Sequence, residues 1–508
     1  MLAKLQSCAI TGIDAELVEV ELDLTRGLPG LVMVGLPDKA VQESRDRVKS
    51  AVLNCGYQFP NRKIVVNLAP AELKKEGGLY DLPIALAALL ASEQVSAPRA
   101  QEYLVLGELA LDGAVRPVRG VLAAAITARQ HGLRGVLVPH ENAREAMVLG
   151  DGLEVVPLER LEQAVGFLSG DRAAPPPPPP PETSDRGDAA DFCDVRGHEH
   201  LKRALTVAAA GAHNVILLGP PGSGKTMAAK RLPTILPELS YEESLETTKI
   251  FSVAGALGPG AGLLRTRPFR HPHHSVSAAG LVGGGAVPRP GEVSLAHNGV
   301  LFLDEAPEFP RNILEALRQP LEDGLISISR AAASVAYPAR LMLVLSQNLC
   351  PCGRRGDPRK TCKCTPRQVT AYLDRLSGPL LDRIDIHVEV PALPYDDLRG
   401  ARTGPDSATL RAEVVRARGV QAARFPGRTS PVNALLSERE IETHCALDRE
   451  SETLLRTAMD ELGLSARGHA RVLKVARTIA DLAGAQAIGP EHLSEAIQYR
   501  ALDRHRAY

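Results

Sequence analysis

Eight consecutive residues carry the clearest chemistry in this chain: Gly219, Pro220, Pro221, Gly222, Ser223, Gly224, Lys225 and Thr226. They fit the phosphate-binding pattern of two glycines with four residues between them, then Lys, then Ser or Thr. The glycines let the backbone curl so that its N–H groups face a nucleotide's phosphates. Lys225 has the reach to meet the β- and γ-phosphates, and the Thr226 hydroxyl is placed to ligate Mg²⁺. The flanks fit, since Asn214–Leu218 predicts a buried strand and Met227–Leu232 the start of a helix whose N-terminus favours anions. A second element, Gly299-Val-Leu-Phe-Leu-Asp304-Glu305, predicts a buried parallel strand that delivers two carboxylates at its C-terminal end. Asp304 suits Mg²⁺, directly or through water, and Glu305 suits polarising the water that attacks a γ-phosphate.

Other clusters could complete or modify such a site. Leu341–Leu345 predicts a third strand, ending in Ser346-Gln347-Asn348, where a polar side chain would lie between phosphate and water. Asn348 is the first candidate and Gln347 the alternative. Cys350-Pro-Cys352 and Cys362-Lys-Cys364 supply four thiols, the donor count of a tetrahedral structural Zn²⁺. The one-residue gaps are tighter than usual for zinc, so four free or redox-active thiols are the alternative. Around these cysteines lie Arg354, Arg355, Arg359, Lys360, Lys363 and Arg367 against Asp357, a local charge of +5 suited either to a phosphate backbone or to plain solvent. The stretch Arg267–His274 holds three histidines, but prolines break any ligand spacing and no Cys or Glu adjoins them. A loop facing substrate or a neighbouring subunit fits better, and the glycine-rich run at Gly283–Gly285 suits a mobile loop.

The elements that must position these residues fall into four segments, and a length of 508 residues predicts roughly three domains. Residues 1–168 predict an α/β domain, with strands over Ala15–Leu24, Lys63–Leu68, Glu102–Leu109 and Gly135–Pro139 and helices over Val41–Cys55, Asp81–Ser92 and Val121–His131. Residues 169–190 are a linker in which Pro175–Pro181 would run as polyproline helix for about 20 Å. That run would be either a spacer holding the first domain off the next or a plain boundary. Residues 191–393 hold the nucleotide motifs, with a helix expected over Asp374–Arg383 and a strand over Ile384–Val390. Residues 394–508 predict helices over Thr409–Ala423, Ser437–Cys445, Asp448–Leu462, Ala466–Ala483 and Pro490–Leu502. A net charge of −1 advertises no nucleic acid globally, and an absence of Trp with 3% aromatics disfavours a base-stacking platform. No signal peptide is visible and no apolar run approaches the roughly 20 residues that span a bilayer, so the expectation is a cytoplasmic protein without a membrane partner. Eight cysteines in such a chain read as thiols or metal ligands, not disulfides.

Family resemblances sharpen these expectations. Gly107–Val118 resembles a segment of the Lon protease domain (the ribosomal S5 domain 2-like fold), with Lys74–Gly78 where Lon carries its serine loop. No serine lies between Lys74 and Ala91, and Val121 and Leu122 stand where the dyad lysine is expected. A nucleophile missing along with its base cannot acylate, so the resemblance implies binding or scaffolding, not proteolysis. Leu381-Asp382-Arg383-Ile-Asp385 resembles the arginine-finger position of AAA+ ATPases of the magnesium-chelatase branch, which implies that Arg383 serves a neighbouring subunit in a ring. Asn348 then fits the sensor-1 role, and the helix from Ser465 resembles sensor 2, with Arg467 the better candidate for the γ-phosphate and Arg471 one turn on. Arg267–His274, Gly283–Gly299 and the cysteine loop together resemble the ComM/YifB family across nearly the whole chain. The implied fold is a Lon-like α/β domain, an AAA+ P-loop NTPase core and a C-terminal helical lid over the nucleotide. The implied function is a hexameric ATPase, using ATP and Mg²⁺, that translocates DNA and drives branch migration during integration of transforming DNA. A magnesium-chelatase motor subunit, or a chaperone-like ATPase acting on a protein, is the alternative.

Overall fold

Alternation of polar and apolar residues builds the first sheet. In the computed structural model, which describes residues 2–179, 190–285, 288–330, 333–357, 360–393 and 404–500, the front segment contains strands β1 (Leu2–Thr11), β2 (Asp14–Thr25), β3 (Gly30–Val34), β4 (Lys63–Ala69), β5 (Tyr103–Val105), β6 (Glu108–Leu109), β7 (Val115–Arg116), β8 (Gly135–Pro139) and β9 (Glu154–Leu158). Seven form one sheet in the order β3-β4-β2-β1-β5-β8-β9, while β6 and β7 pair as a separate ribbon. Leu5, Val18, Val20, Leu22, Val66 and Leu68 are wholly buried, and helices Lys39–Asn54, Asp81–Ala91 and Val121–Gln130 pack over them. The single strand expected over Glu102–Leu109 breaks at Gly107, where an added Cβ would sit 2.8 Å from Val115 Cγ1. Val121 and Leu122, standing where a dyad lysine would be, are fully buried.

Continuous apolar runs build the second sheet, because it is covered on both faces. Its strands belong to the series β10 (Val215–Leu218), β11 (Phe269–Arg270), β12 (Gly283–Gly284), β13 (Arg289–Pro290), β14 (Val300–Leu303), β15 (Leu325–Arg330), β16 (Ala333–Pro338), β17 (Met342–Gln347) and β18 (Ile386–Glu389). Five of them run parallel in the order β11-β14-β17-β10-β18, so β10 lies between the strands that carry Asn348 and follow Arg383. β12 with β13 and β15 with β16 form two antiparallel hairpins off this sheet. Of the helix expected over Asp374–Arg383 only the turn Gly378–Leu381 forms; a separate helix, Pro366–Leu373, ends just before that range. Ser377 restarts the helix by accepting from the Leu380 amide, a local cap that outcompetes continuation.

Helices Ser407–Arg424, Glu438–His444, Arg449–Leu462, Ala466–Ala483 and Pro490–Gln498 form the C-terminal segment. A buried polar network ties it down: Asn433 Nδ2 donates to Thr478 Oγ1 (3.0 Å) and Asp481 Oδ2 (2.8 Å), and Arg424 and Arg477 both close on Asp481. His213 Nε2, at the end of helix Glu199–Gly211, meets Thr478 Oγ1 at 2.8 Å. The front domain is not held at a distance. Its helix Val121–Gln130 packs on helix Tyr241–Ala254, and Gly120 donates to Ser252 O at 3.3 Å. Pro178 and Pro179 both accept from Arg144 Nε at 2.9 Å, so the described part of the proline run lies along the front domain instead of bridging a gap. The remainder of that run, from residue 180, and residues 394–403 at the expected lid boundary lie outside the described residues.

Candidate functional site

β10 ends at Leu218 and the chain turns at once through Gly219–Gly224 into helix Lys225–Ile235. Glycine is required at the first position, since a Cβ on Gly219 would fall 2.0 Å from Val390 O. Gly222 and Gly224 have φ of 77° and 92°, backbone that L side chains rarely adopt, and Gly224 is the helix N-cap. Lys225 is 6% exposed, and its ammonium donates to Gly219 O (2.7 Å), Pro220 O (2.8 Å) and Asn348 Oδ1 (3.3 Å). Burial pushes that ammonium down to about 8, against the opposing pull of Asp304 and Glu305. Ser223 Oγ is buried with no partner among the described residues, an acceptor and donor left for something outside the protein.

Thr226 Oγ1 donates to Asp304 Oδ2 at 2.6 Å, so hydroxyl and carboxylate, two hard oxygen donors, already touch. That pairing fits a magnesium ion between them, and Lys225, Thr226, Asp304 and Asn348 form one cluster at the C-terminal edge of the parallel sheet. Glu305 is exposed beside it, with a left-handed backbone (φ 50°, ψ 48°) that leaves Asp304 Oδ1 accepting from the Glu305 amide at 3.1 Å. Left-handed backbone in a non-glycine residue costs about 1–3 kcal/mol and collects at functional sites. Gln347 is 3% exposed and its main-chain oxygen accepts from Gly219, so of the two polar candidates it is Asn348 whose side chain meets Lys225.

Two expected arginines stand apart from this cluster. Arg383 is 4% exposed and pairs with Glu322, while its Nη1 reaches Pro379 O at 2.5 Å. Arg467 is exposed at the start of helix Ala466–Ala483, and Arg471, one turn on, pairs with Asp385. Asp385 also accepts from the Asn214 amide at 3.0 Å, at the N-terminal end of β10 and β18. Four strand residues, about 13 Å, separate that edge from the phosphate loop. Burial alone would raise the Asp385 carboxyl, yet Arg471 and His213 hold it well below the ordinary carboxylate range. Through Arg471 the helical segment is anchored at the end of the sheet opposite the phosphate loop, while its helix Ser407–Arg424 packs on helix Lys225–Ile235, which leaves that loop. Helix periodicity predicts the helix but not the end of the sheet on which it lands.

The histidine stretch comes closer than its sequence suggests. β11 pairs in parallel with β14, which sets His271 beside Phe302 with ring centroids 4.9 Å apart, two residues before Asp304. The rings of His273 and His274 lie 4.0 Å apart, tilted at 35°, and His274 also edges Phe309 at 6.4 Å. Burial lowers His271, with Asp304 pulling the other way. Phe269, in register with Val300, also stacks on Phe302 at 6.1 Å.

The four cysteines also converge. Cys350 Sγ lies 3.4 Å from Cys352 Sγ and 3.7 Å from Cys362 Sγ, and all four sulfurs, Cys364 included, fall within 4.8 Å of one another. Arg354, Arg355, Lys360, Lys363 and Arg367 are exposed around them, while Arg359 lies outside the described residues. Among the described residues no helix is long and apolar enough to cross a membrane.

Three matches to the magnesium chelatase family divide the chain: "Magnesium chelatase, subunit ChlI" over residues 191–398, "Subunit ChlI of Mg-chelatase" over 20–142, and "Magnesium chelatase, subunit ChlI C-terminal" over 404–500. The uncharacterized protein YifB of Salmonella typhimurium is 47% identical, covering 99% of this chain and 98% of that one. The competence protein ComM of Haemophilus influenzae is 46% identical, again over 99% of this chain and 98% of its own. A Lon protease of Rhizobium meliloti is 24% identical over 31% of this chain and 21% of its own length.

Proposed function

Since the chain belongs to the YifB/ComM family of magnesium-chelatase-like AAA+ proteins, we propose that it is a ring-forming ATPase coupling ATP hydrolysis to movement along DNA, including branch migration when transforming DNA is recombined. The observation that carries the reading is the joint cluster of Lys225, Thr226, Asp304 and Asn348, with an exposed basic loop two residues beyond Asn348. Bound Mg²⁺ would draw charge from the phosphates, and Thr226 and Asp304 are the residues that would hold it. Lys225 binds the β- and γ-phosphates, Glu305 takes the proton of the attacking water, and Asn348 orients that water. The four thiols are the ligand set of a structural Zn²⁺.

Arg383 supplies the charge that a neighbouring protomer's phosphate needs, which makes a homo-oligomer, a hexamer, the working unit. Arg471, which meets Asp385 at the sheet edge away from its own phosphate loop, and the exposed Arg467 one turn before it fit the same neighbour-facing arrangement. The name of the Haemophilus relative supports a role in competence. In this reading the chain divides into 1–168, a linker over 169–190, 191–393 and 394–508, and the front domain, with no serine between Lys74 and Ala91, serves binding or scaffolding and not proteolysis.

The test is ATP turnover with and without single-stranded and forked DNA at fixed salt. Stimulation of several-fold or more, falling as salt rises, is expected. Turnover indifferent to every DNA, together with porphyrin metallation when chelatase partner subunits are added, would instead support the chelatase-motor alternative that the ChlI matches bring.

A further inference from the structure

A sequence reader sees the cysteine loop and the phosphate loop as separate motifs more than a hundred residues apart, but they are in contact. A Cβ added at Gly353, one residue past Cys352, would sit 2.7 Å from Pro221 Cγ. One added at Gly356 would sit 2.8 Å from Leu349 Cδ1 and 3.9 Å from Pro220 Cδ. Asn348, whose side chain accepts from Lys225, is two residues before Cys350. The loop therefore lies against Pro220 and Pro221 on one side and holds the root of Asn348 on the other. Both ends of the Lys225 cluster depend on its shape.

We infer that Cys350, Cys352, Cys362 and Cys364 bind one Zn²⁺ as a tetrathiolate centre, and that this centre braces the phosphate loop and Asn348 so that nucleotide binding depends on the metal. The inference rests on the nucleotide site of the proposed function but not on its DNA partner. The sulfur geometry fits. With Zn–S bonds of about 2.3 Å a regular tetrahedron has S–S edges of about 3.8 Å, and the recorded separations are 3.4, 3.7 and 3.7 Å with every pair inside 4.8 Å. A disulfide pair would bring two sulfurs together and leave the others apart; here Cys350 is shared between two neighbours. The Arg355 amide donates to Cys350 Sγ at 3.3 Å, the kind of N–H···S contact that steadies a metal-bound thiolate. Four thiolates on Zn²⁺ leave a charge of −2, and Arg354, Arg355, Lys360 and Lys363 surround it.

The described residues between 349 and 365 are turn and coil, with no helix until the Thr365 cap of Pro366–Leu373, so a metal shared by the four thiols would order them. Ordering them at the moment of nucleotide binding would cost affinity. A bound Zn²⁺ meets that ordering cost in advance.

The experiment uses the full chain carrying Glu305→Gln, so that bound nucleotide persists. Elemental analysis should find about one zinc per chain, and a fluorescent ATP analogue should bind. Adding Cys352→Ser and Cys364→Ser should remove the zinc and weaken the analogue tenfold or more, with helix content by circular dichroism unchanged. Gly353→Ala, which keeps all four thiols, should retain the zinc and still weaken the analogue, because its methyl meets Pro221. The inference is overturned if the reduced protein neither carries nor takes up zinc, or if zinc is stripped with analogue affinity unchanged. Turnover that ignores DNA while analogue binding still tracks zinc would remove the DNA reading and leave this one standing.

Discussion

Lys225 shows how a single residue's surroundings set its chemistry. Its amine is almost wholly inside the protein and, with no phosphate beside it, burial lowers it from 10.5 to about 8. A bound triphosphate needs the charged form. Nucleotide affinity should be flat below pH 8 and weaken by up to tenfold per pH unit above it, read by fluorescent-analogue titration from pH 7 to 9.5. The stability of the nucleotide-free chain has its own sign: between about 8 and 10.5 the unfolded lysine holds a proton that the folded one has released, so this group's contribution rises with pH across that window. Glu305 poses a different question, because its exposed carboxylate on a left-handed residue makes no ligand contact with Asp304 beyond the backbone. Glu305→Gln should bind nucleotide as the parent does and lose roughly 10²–10⁴-fold in kcat, the range for removing a general base. Normal turnover in that variant would move the base elsewhere.

At the scale of elements, the position of the helical segment is fixed by Asp481, fully buried between Arg424 and Arg477. Asp481→Ala leaves two guanidiniums facing each other with Asn433 and no anion. A loss of about 3–5 kcal/mol is expected, the cost of breaking a buried ion pair from one side, measurable as a lower denaturant midpoint. The broken helix before Arg383 matters in the same way. Ser377 starts a fresh turn over Gly378–Leu381, and that turn, not a long helix, sets Arg383 against Glu322. Capping signals were present in the sequence, but the choice between one helix and two depended on Leu376, Leu380 and Leu381 finding places in the core around Leu303 and Leu345.

For the whole molecule the question is who owns Arg383. Inside one chain it is paired with Glu322 and does not meet the Lys225 cluster, so a role in hydrolysis requires a second copy to face it. Arg383→Ala should keep nucleotide affinity and lose about 10³-fold or more in turnover. Mixing it with Glu305→Gln subunits should restore part of the activity, because some interfaces then join an intact loop to an intact arginine. No recovery on mixing, with both variants assembling normally in the presence of ATP, would place the whole site in one chain.

Much of this was readable before any fold was known. Gly219–Thr226, the Asp304–Glu305 pair and the strands that carry them follow from local rules: glycine where φ is positive, apolar runs where a parallel strand is covered on both faces, acids at the strand end. The missing serine and lysine of the front domain are equally plain in the chain's own letters. Contacts between segments distant in sequence could not be read, because periodicity reports which face of a helix is apolar and not what it meets. Only the tertiary structure laid the cysteine loop on Pro221, set His271 against Phe302, docked helix Val121–Gln130 onto helix Tyr241–Ala254, and carried Arg471 to Asp385 at the far edge of the sheet. Each of those placements is a choice among packings that one amphipathic pattern allows, and burial of many side chains at once makes the choice.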